Sequence, residues 1–180
     1  MCPQKRKNIL KTNEQRWYAL YTKSRAEKKA LLALTQIGIE TYLPLRKEFK
    51  QWCDRKKWIE SPIISSYIFV KIFPADFRKV FESKSIVSYV SYKGEAVPIP
   101  EREMESMKLM VESKVAFSVE MKDLKKGKNV TITSGPLAGV SGEITDIKGT
   151  KKLYLRVKHA GFTLVVNMDE ESVLLLNTDS

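Results

Sequence analysis

The stretch Ser61-Pro62-Ile63-Ile64-Ser65-Ser66-Tyr67-Ile68-Phe69-Val70-Lys71-Ile72 decides how the first half of the chain is read. Side chains alternate across a strand, so an extended run here places Ile64, Ile68, Val70 and Ile72 on one face and Ile63, Tyr67 and Phe69 on the other. Both faces are apolar. That predicts a strand in the middle of a sheet, with each side either covered by the chain or reserved for a partner.

The flanking residues bear on which. Arg16 to Thr22 is aromatic and extended, and Ser24 with Glu27 has capping-box spacing for a following helix. Ala30, Leu31, Leu34 and Ile37 repeat at helical spacing, and Gly38 is placed to stop the helix. Ile39, Thr41 and Leu43 alternate into a second strand. Arg46 to Trp58 reads as a loop or hairpin tip, with Arg46, Lys47, Lys50, Arg55, Lys56 and Lys57 set among Phe49, Trp52 and Trp58. Cations interleaved with aromatics suit a nucleic-acid backbone and its bases, and equally a solvated hairpin whose tryptophans shield a sheet edge.

After the central strand, Pro74-Ala75-Asp76 opens a short helix with Phe77, Val80 and Phe81 inward, and Ile86 to Tyr92 forms a fourth strand. Pro98-Ile99-Pro100-Glu101 starts a last helix, acidic in its first turn, with Met104, Met107 and Val111 on one side. The order βαββαβ plus a terminal helix predicts an antiparallel sheet with both early helices on the Ile68 face. Tyr67 and Phe69 are then expected to face outward or to pack under the last helix.

A chain of 180 residues that is 43% hydrophobic has room for one ordinary domain or two small ones. Lys and Arg number 32 against 21 Asp and Glu, a net charge of +11 that favours an anionic partner. Gly127 to Ser180 holds six basic and six acidic residues, so the whole surplus precedes it. Two functions divided between two domains would explain that split. With two cysteines and one histidine, neither a disulfide framework nor a Cys/His zinc site can be assembled, and a reducing cytoplasm fits. No apolar run approaches the roughly 20 residues that span a bilayer. Residues 1–15 read as a disordered basic tail, not a signal peptide.

Residues 114–126 are polar with alternating charge and read as a linker. Beyond them come short β-rich runs at Val130–Thr133, Gly142–Ile147, Leu153–Lys158, Phe162–Asn167 and Val173–Leu176, separated by Gly-containing turns. Five such strands predict a small β-barrel over 127–176, followed by a short tail at 177–180. The β-branched content favours strands there. The fold class is therefore α+β: an antiparallel-sheet domain over 16–113, then a five-stranded barrel.

An alternative function, an RNA-binding protein of the RNA-recognition type acting independently of RNA polymerase, rests on Ser65 to Ile72, which matches that signature at Tyr67, Phe69 and Val70. A second resemblance covers more. Trp17-Tyr18-Ala19-Leu20-Tyr21-Thr22-Lys23, Tyr42-Leu43-Pro44 and the Tyr67-Ile68-Phe69-Val70 strand resemble the amino-terminal (NGN) domain of the NusG transcription-factor family. Gly127 to Ile147, centred on Gly135-Pro136-Leu137-Ala138-Gly139-Val140-Ser141-Gly142, resembles the KOW motif that follows it in that family.

The resemblance implies an elongation factor that docks on the clamp helices of the largest RNA polymerase subunit and suppresses pausing. Tyr21, Ile64 and Phe69 stand at the positions of the family's apolar docking pocket, although Ile64 replaces a frequent aromatic and Ser65-Ser66 replaces Pro-Gly or Pro-Asn. Arg78, Lys79, Val80 and Phe81 align with the segment that reaches the opposite pincer of the polymerase. Lys23, Lys29 and Lys84 match positions that contact non-template DNA in the specialised relative RfaH. Leu137 stands at the barrel tip, where the housekeeping factor often carries Phe for a ribosomal protein or the Rho terminator. The basic first domain is most similar to specialised antiterminators of the RfaH or UpxY type acting on long operons, as a monomer and without a cofactor. The sequence has no P-loop, dinucleotide fingerprint or acid–base constellation, so a binding factor is expected and not an enzyme.

Overall fold

The computed structural model describes residues 14–51, 56–113, 115–121, 127–147, 150–157, 160–168 and 176–177. The tail up to residue 13, Trp52 and Arg55 of the expected loop or hairpin tip, 122–126 of the expected linker, His159, Val173 and residues 178–180 lie outside them.

The first half contains β1 (Arg16–Thr22), α1 (Glu27–Gln36), β2 (Glu40–Tyr42), β3 (Leu45–Gln51), β4 (Lys56–Pro62), β5 (Tyr67–Ile72), two 3-10 turns (Pro74–Asp76 and Lys79–Glu82), β6 (Ile86–Tyr89), a small hairpin of β7 (Ser91–Tyr92) and β8 (Glu95–Ala96), and α2 (Glu101–Glu112). Strands β2, β5, β1 and β6 form one antiparallel sheet in that order, so β5 and β1 are its inner strands. Inner strands with both sides covered need no polar face. Trp17, Tyr18, Ala19 and Leu20 are accordingly all buried.

The opening stretch is not one strand. Ser61 and Pro62 end β4, and the chain turns before β5 starts at Tyr67. Ser66 sits in that turn with φ +63°. The turn breaks the alternation, so Ile64 does not share a face with Ile68, Val70 and Ile72, as an unbroken strand would require. It joins Tyr67 and Phe69 in the core on the other side.

The α1-side core contains Tyr18, Leu20, Ala30, Leu34, Ile68, Val70, Val80 and Ile86, with Phe77 packed against it. Phe81, expected to face inward with Phe77 and Val80, is exposed, because the two short 3-10 turns do not keep helical periodicity. Ser24 does not cap α1. The residue before the helix is Ala26, no side chain caps it, and Glu27 turns elsewhere. Ile37, expected in the buried stripe, is largely exposed.

The second sheet has six strands: β9 (Phe117–Glu120), β10 (Lys128–Ile132), β11 (Ser141–Ile147), β12 (Thr150–Val157), β13 (Phe162–Met168) and β14 (Leu176–Asn177), in the order β14-β10-β11-β12-β13-β9. Four expected strands recur with shifted ends, and the fifth is described only at residues 176–177. Phe117–Glu120, read as linker, is instead an edge strand paired antiparallel with β13 from Thr163↔Glu120 to Val166↔Phe117. Its Phe117 and Val119 pack against the core, which sparse alternation between charges had concealed. No helix is long and apolar enough to cross a membrane among the described residues.

The second core spans both halves. Trp17, Ala19, Ile64, Tyr67 and Phe69 from the first sheet, Met104, Met107 and Met110 from α2, and Val130, Leu153, Phe162 and Leu164 from the second sheet belong to one apolar cluster. The face of the first sheet expected to lie open or under the last helix is covered by α2, and by the second sheet as well.

Candidate functional site

The site begins at the turn before β5. The Ser66 N–H donates to Glu27 Oε1 at 2.7 Å, and the Ser66 carbonyl accepts from Thr22 N–H at 2.9 Å. Glu27 is buried in the first turn of α1, where a carboxylate also meets the positive end of the helix dipole. One carboxylate thus ties the helix start to the turn that aims β5. Nothing in the local pattern around Glu27 announces a partner 39 residues away.

Tyr21 and Tyr67 are paired across β1 and β5. Their rings meet edge-on at 4.8 Å, and Tyr67 Oη donates to Tyr21 Oη at 3.0 Å. Burial, and then that hydrogen bond, hold the Tyr67 phenol well above its usual range, so it stays a neutral donor. Phe69 lies deeper, fully buried. Its ring is 6.1 Å from Phe162 of β13, and Tyr67 stands at the same distance from that phenylalanine.

Of the three expected pocket residues, Tyr21 is 37% exposed, while Ile64 and Phe69 retain 2% and 0%. All three lie on the same side of the sheet, as the family resemblance requires. They do not make an outward pocket in this arrangement, because Phe162 packs against Phe69 and Tyr67 on that side.

The other expected residues divide by exposure. Lys23, Lys29 and Lys84 are exposed. Lys23 N–H donates to the Ser85 carbonyl at 2.9 Å, which brings Lys23 and Lys84 to the same end of the sheet, and Lys29 stands on the first turn of α1. Arg78 and Phe81 are exposed, and Lys79 pairs with Asp76 at 2.9 Å. Val80 is fully buried in the α1-side core, so it offers no contact surface. Leu137 is also buried rather than projecting from a loop tip: its loop, which contains Gly139 at φ +89°, lies against α2. A Cβ at Gly139 would stand 3.3 Å from Leu109.

A polar seam lies beside the apolar contact. Arg102 of α2 donates from Nε to Ser141 Oγ at 3.1 Å and from Nη2 to Thr131 Oγ1 at 2.9 Å, and the Ser141 N–H donates to Ser106 Oγ at 3.2 Å. The start of α2 is held on β1 by Glu101, which accepts from Trp17 Nε1 at 3.1 Å and pairs with Lys71 at 3.0 Å. Burial works to raise the Glu101 carboxyl, but the hydrogen bonds from Lys71 and Trp17 outweigh it and hold the group below the usual carboxylate range. Sequence reading missed Arg102, Ser141 and Phe162, since each is an ordinary residue until α2 and the second sheet are brought together. Among the described residues, no group of three or more His, Cys, Asp or Glu side chains could hold a metal ion.

The family described as "Transcription termination factor nusG" matches residues 15–108. Among solved structures, one of Thermotoga maritima NusG, concerned with domain interaction, is 21% identical, with 86% of this chain and 93% of that chain covered and a TM-score of 0.48. A chain of the MjSpt4:Spt5 complex in conformation A is 13% identical, with 91% and 99% covered and a TM-score of 0.29. No curated protein matches the chain. The family match takes in the first sheet, α1 and most of α2, more than half of all residues, and the chain belongs to the NusG family of transcription factors.

Proposed function

We propose that the chain is a transcription elongation and antitermination factor of the specialised RfaH or UpxY type. Tyr21, Ile64 and Phe69 dock the first domain on the clamp helices of RNA polymerase, Arg78 and Phe81 face the opposite pincer, and Lys23, Lys29 and Lys84 lie along the non-template DNA strand. The observation that carries this is the apolar side of β5 and β1. Its Tyr67 and Phe69 meet a phenylalanine from a different sheet, and Ile64 shares their core, whereas the opposite side is sealed by the helix that follows β1. An apolar depression with a cover from another part of the chain suits a helical partner that takes the cover's place. Docking then requires the two sheets to part. The same parting frees Leu137 for a ribosomal protein or Rho. The basic surplus of the first 126 residues and its absence thereafter support a split between polymerase–DNA contact and a separate partner role.

Binding to a clamp-helix fragment tests the reading. Tyr21→Ala abolishes capture and Phe162→Ala increases it, because the second variant removes the occupant of the pocket. Capture unchanged by both substitutions refutes the docking face. Charge reversal at Lys23, Lys29 and Lys84 weakens binding to DNA but not to the clamp helices. If the three neutralise three phosphates, their share of the logarithmic salt slope is about −2 on a single strand.

A further inference from the structure

The β3–β4 hairpin is tied down at its base, where Leu45 packs against the α1-side core and Arg46 donates from Nη2 to the Phe117 carbonyl at 3.2 Å, and beyond that base it carries the basic, aromatic residues that the docking face leaves unused. Phe49 and Trp58 are directly opposed across it, with ring centroids 5.3 Å apart and planes inclined at 60°. They remain 50% and 66% exposed. A tryptophan serving only to shield a sheet edge would be covered by that edge, and Trp58 is not. It lines a recess of about 760 Å³ together with Ile59, Glu60, Lys57 and Lys47 of the hairpin and Lys28 of α1. Lys28 Nζ stands 3.9 Å from Glu60 Oε2 and Lys47 Nζ 3.9 Å from Glu60 Oε1, and Lys57 also lines the recess, so three lysines share it with one carboxylate.

We propose that this hairpin is a second contact for single-stranded DNA, with Trp58 and Phe49 stacking on bases while Lys28, Lys47 and Lys57 hold the adjoining phosphates. The recess has the two parts such binding needs: exposed ring faces, which every base can stack on, and a cationic surplus for the backbone. The occupant is DNA by continuity, since Lys28 adjoins Lys29 on the same turn of α1. A strand passing the lysines proposed above would reach the recess without leaving a basic surface. In that respect the inference rests on the DNA reading of α1.

The test is fluorescence anisotropy of the full chain with labelled oligo-dT of about 12 nucleotides, within the usual span of such sites. Trp58→Ala weakens binding by about five- to a hundredfold, the range measured for losing one stacked base, and leaves the salt slope unchanged. Trp58→Phe retains most of the affinity. Gln at Lys28, Lys47 or Lys57 reduces the slope by about 0.7 each, and Glu60→Gln strengthens binding. Wild-type affinity in Trp58→Ala, or absence of oligo-dT binding at low salt, overturns the proposal. A tenfold preference for oligo-rU over oligo-dT overturns the assignment to DNA. Because Trp58 is mostly exposed, its thermal melt should match the wild type. The assay contains no polymerase, so failure of the clamp-helix reading does not move it. Charge reversal at Lys23, Lys29 and Lys84 without effect, beside a Trp58 effect that persists, removes the α1 path and keeps the hairpin site.

Discussion

Ile68 and Phe69 are neighbours on the same inner strand, both fully buried, and they point into different cores. Ile68 lies under α1, whose contact with the sheet is made by residues close in sequence to β1. Phe69 lies under α2 and against Phe162, which is 93 residues further along the chain. Equal burial therefore hides a difference of origin. The first cover belongs to the unit that makes the sheet, whereas part of the second comes from another sheet, and the proposed docking requires that part to leave. A protein that must both fold and expose an apolar face can separate the two demands in this way, one on each side of a single strand.

The largest expected effect breaks or upholds that comparison. Ile68→Ala should lower global stability by about 2–5 kcal/mol, the usual range for truncating a fully buried aliphatic side chain, with amide protection lost across β1 and β5. Phe69→Ala removes more volume, yet its loss of protection should concentrate at the contact between the sheets and spare β1. If hydrogen exchange shows both variants losing protection in the same strands to the same degree, the two covers form one cooperative unit and the contrast fails.

Next in size is the polar seam. Arg102→Ala removes two hydrogen bonds to β10 and β11, and at about 0.5–1.5 kcal/mol each it should loosen the seam by roughly 1–3 kcal/mol while leaving the α1-side core unchanged. Faster exchange at Ser141 and unchanged exchange at Ile68 would show this. Glu101 sharpens the same distinction through pH. Its folded-state pKa is depressed, so the stability it contributes is present above the ordinary carboxylate value and is lost as pH falls through the lower, folded value. Acid titration should therefore release the start of α2 before the α1-side core melts, and Glu101→Gln should remove that phase.

What could be read in advance follows the same division. Strand alternation and helical spacing are local, so β1, α1, β5, four strands of the second sheet and the Met104 and Met107 side of α2 were legible from residue order. Tyr21, Ile64 and Phe69, singled out by resemblance, lie on one side of the sheet. The closing contact was not legible. Phe162 follows Gly161 in an ordinary turn, and nothing near it specifies that its ring will meet Phe69 and Tyr67. Val80 is buried as its spacing predicts, although the alignment sets it in the pincer segment, and Leu137 is buried where the alignment sets it at a barrel tip: a motif alignment gives position along a chain, while exposure depends on what packs there. Phe117–Glu120 was read as linker because its alternation is short and bordered by charges, yet the free edge of β13 selects it.

The smallest expected effect concerns the turn that divides the quoted stretch. Ser66 holds φ +63°, a left-handed conformation that a side chain with a Cβ disfavours and glycine adopts freely. Its side chain is not needed for the contacts that fix the turn, since Glu27 and Thr22 bond to its backbone N–H and carbonyl. Ser66→Gly should therefore relieve the steric penalty while keeping both bonds. Greater freedom of glycine in the unfolded chain offsets part of the gain, leaving about 0.5–1 kcal/mol of stabilisation. Ser66→Ala, with a Cβ but no hydroxyl, should gain nothing. A thermal melt ranking glycine above serine and alanine would place the strain in the backbone. If glycine instead destabilises, the hydroxyl or the chain entropy governs the turn, and the aim of β5 depends on more than the Glu27 carboxylate.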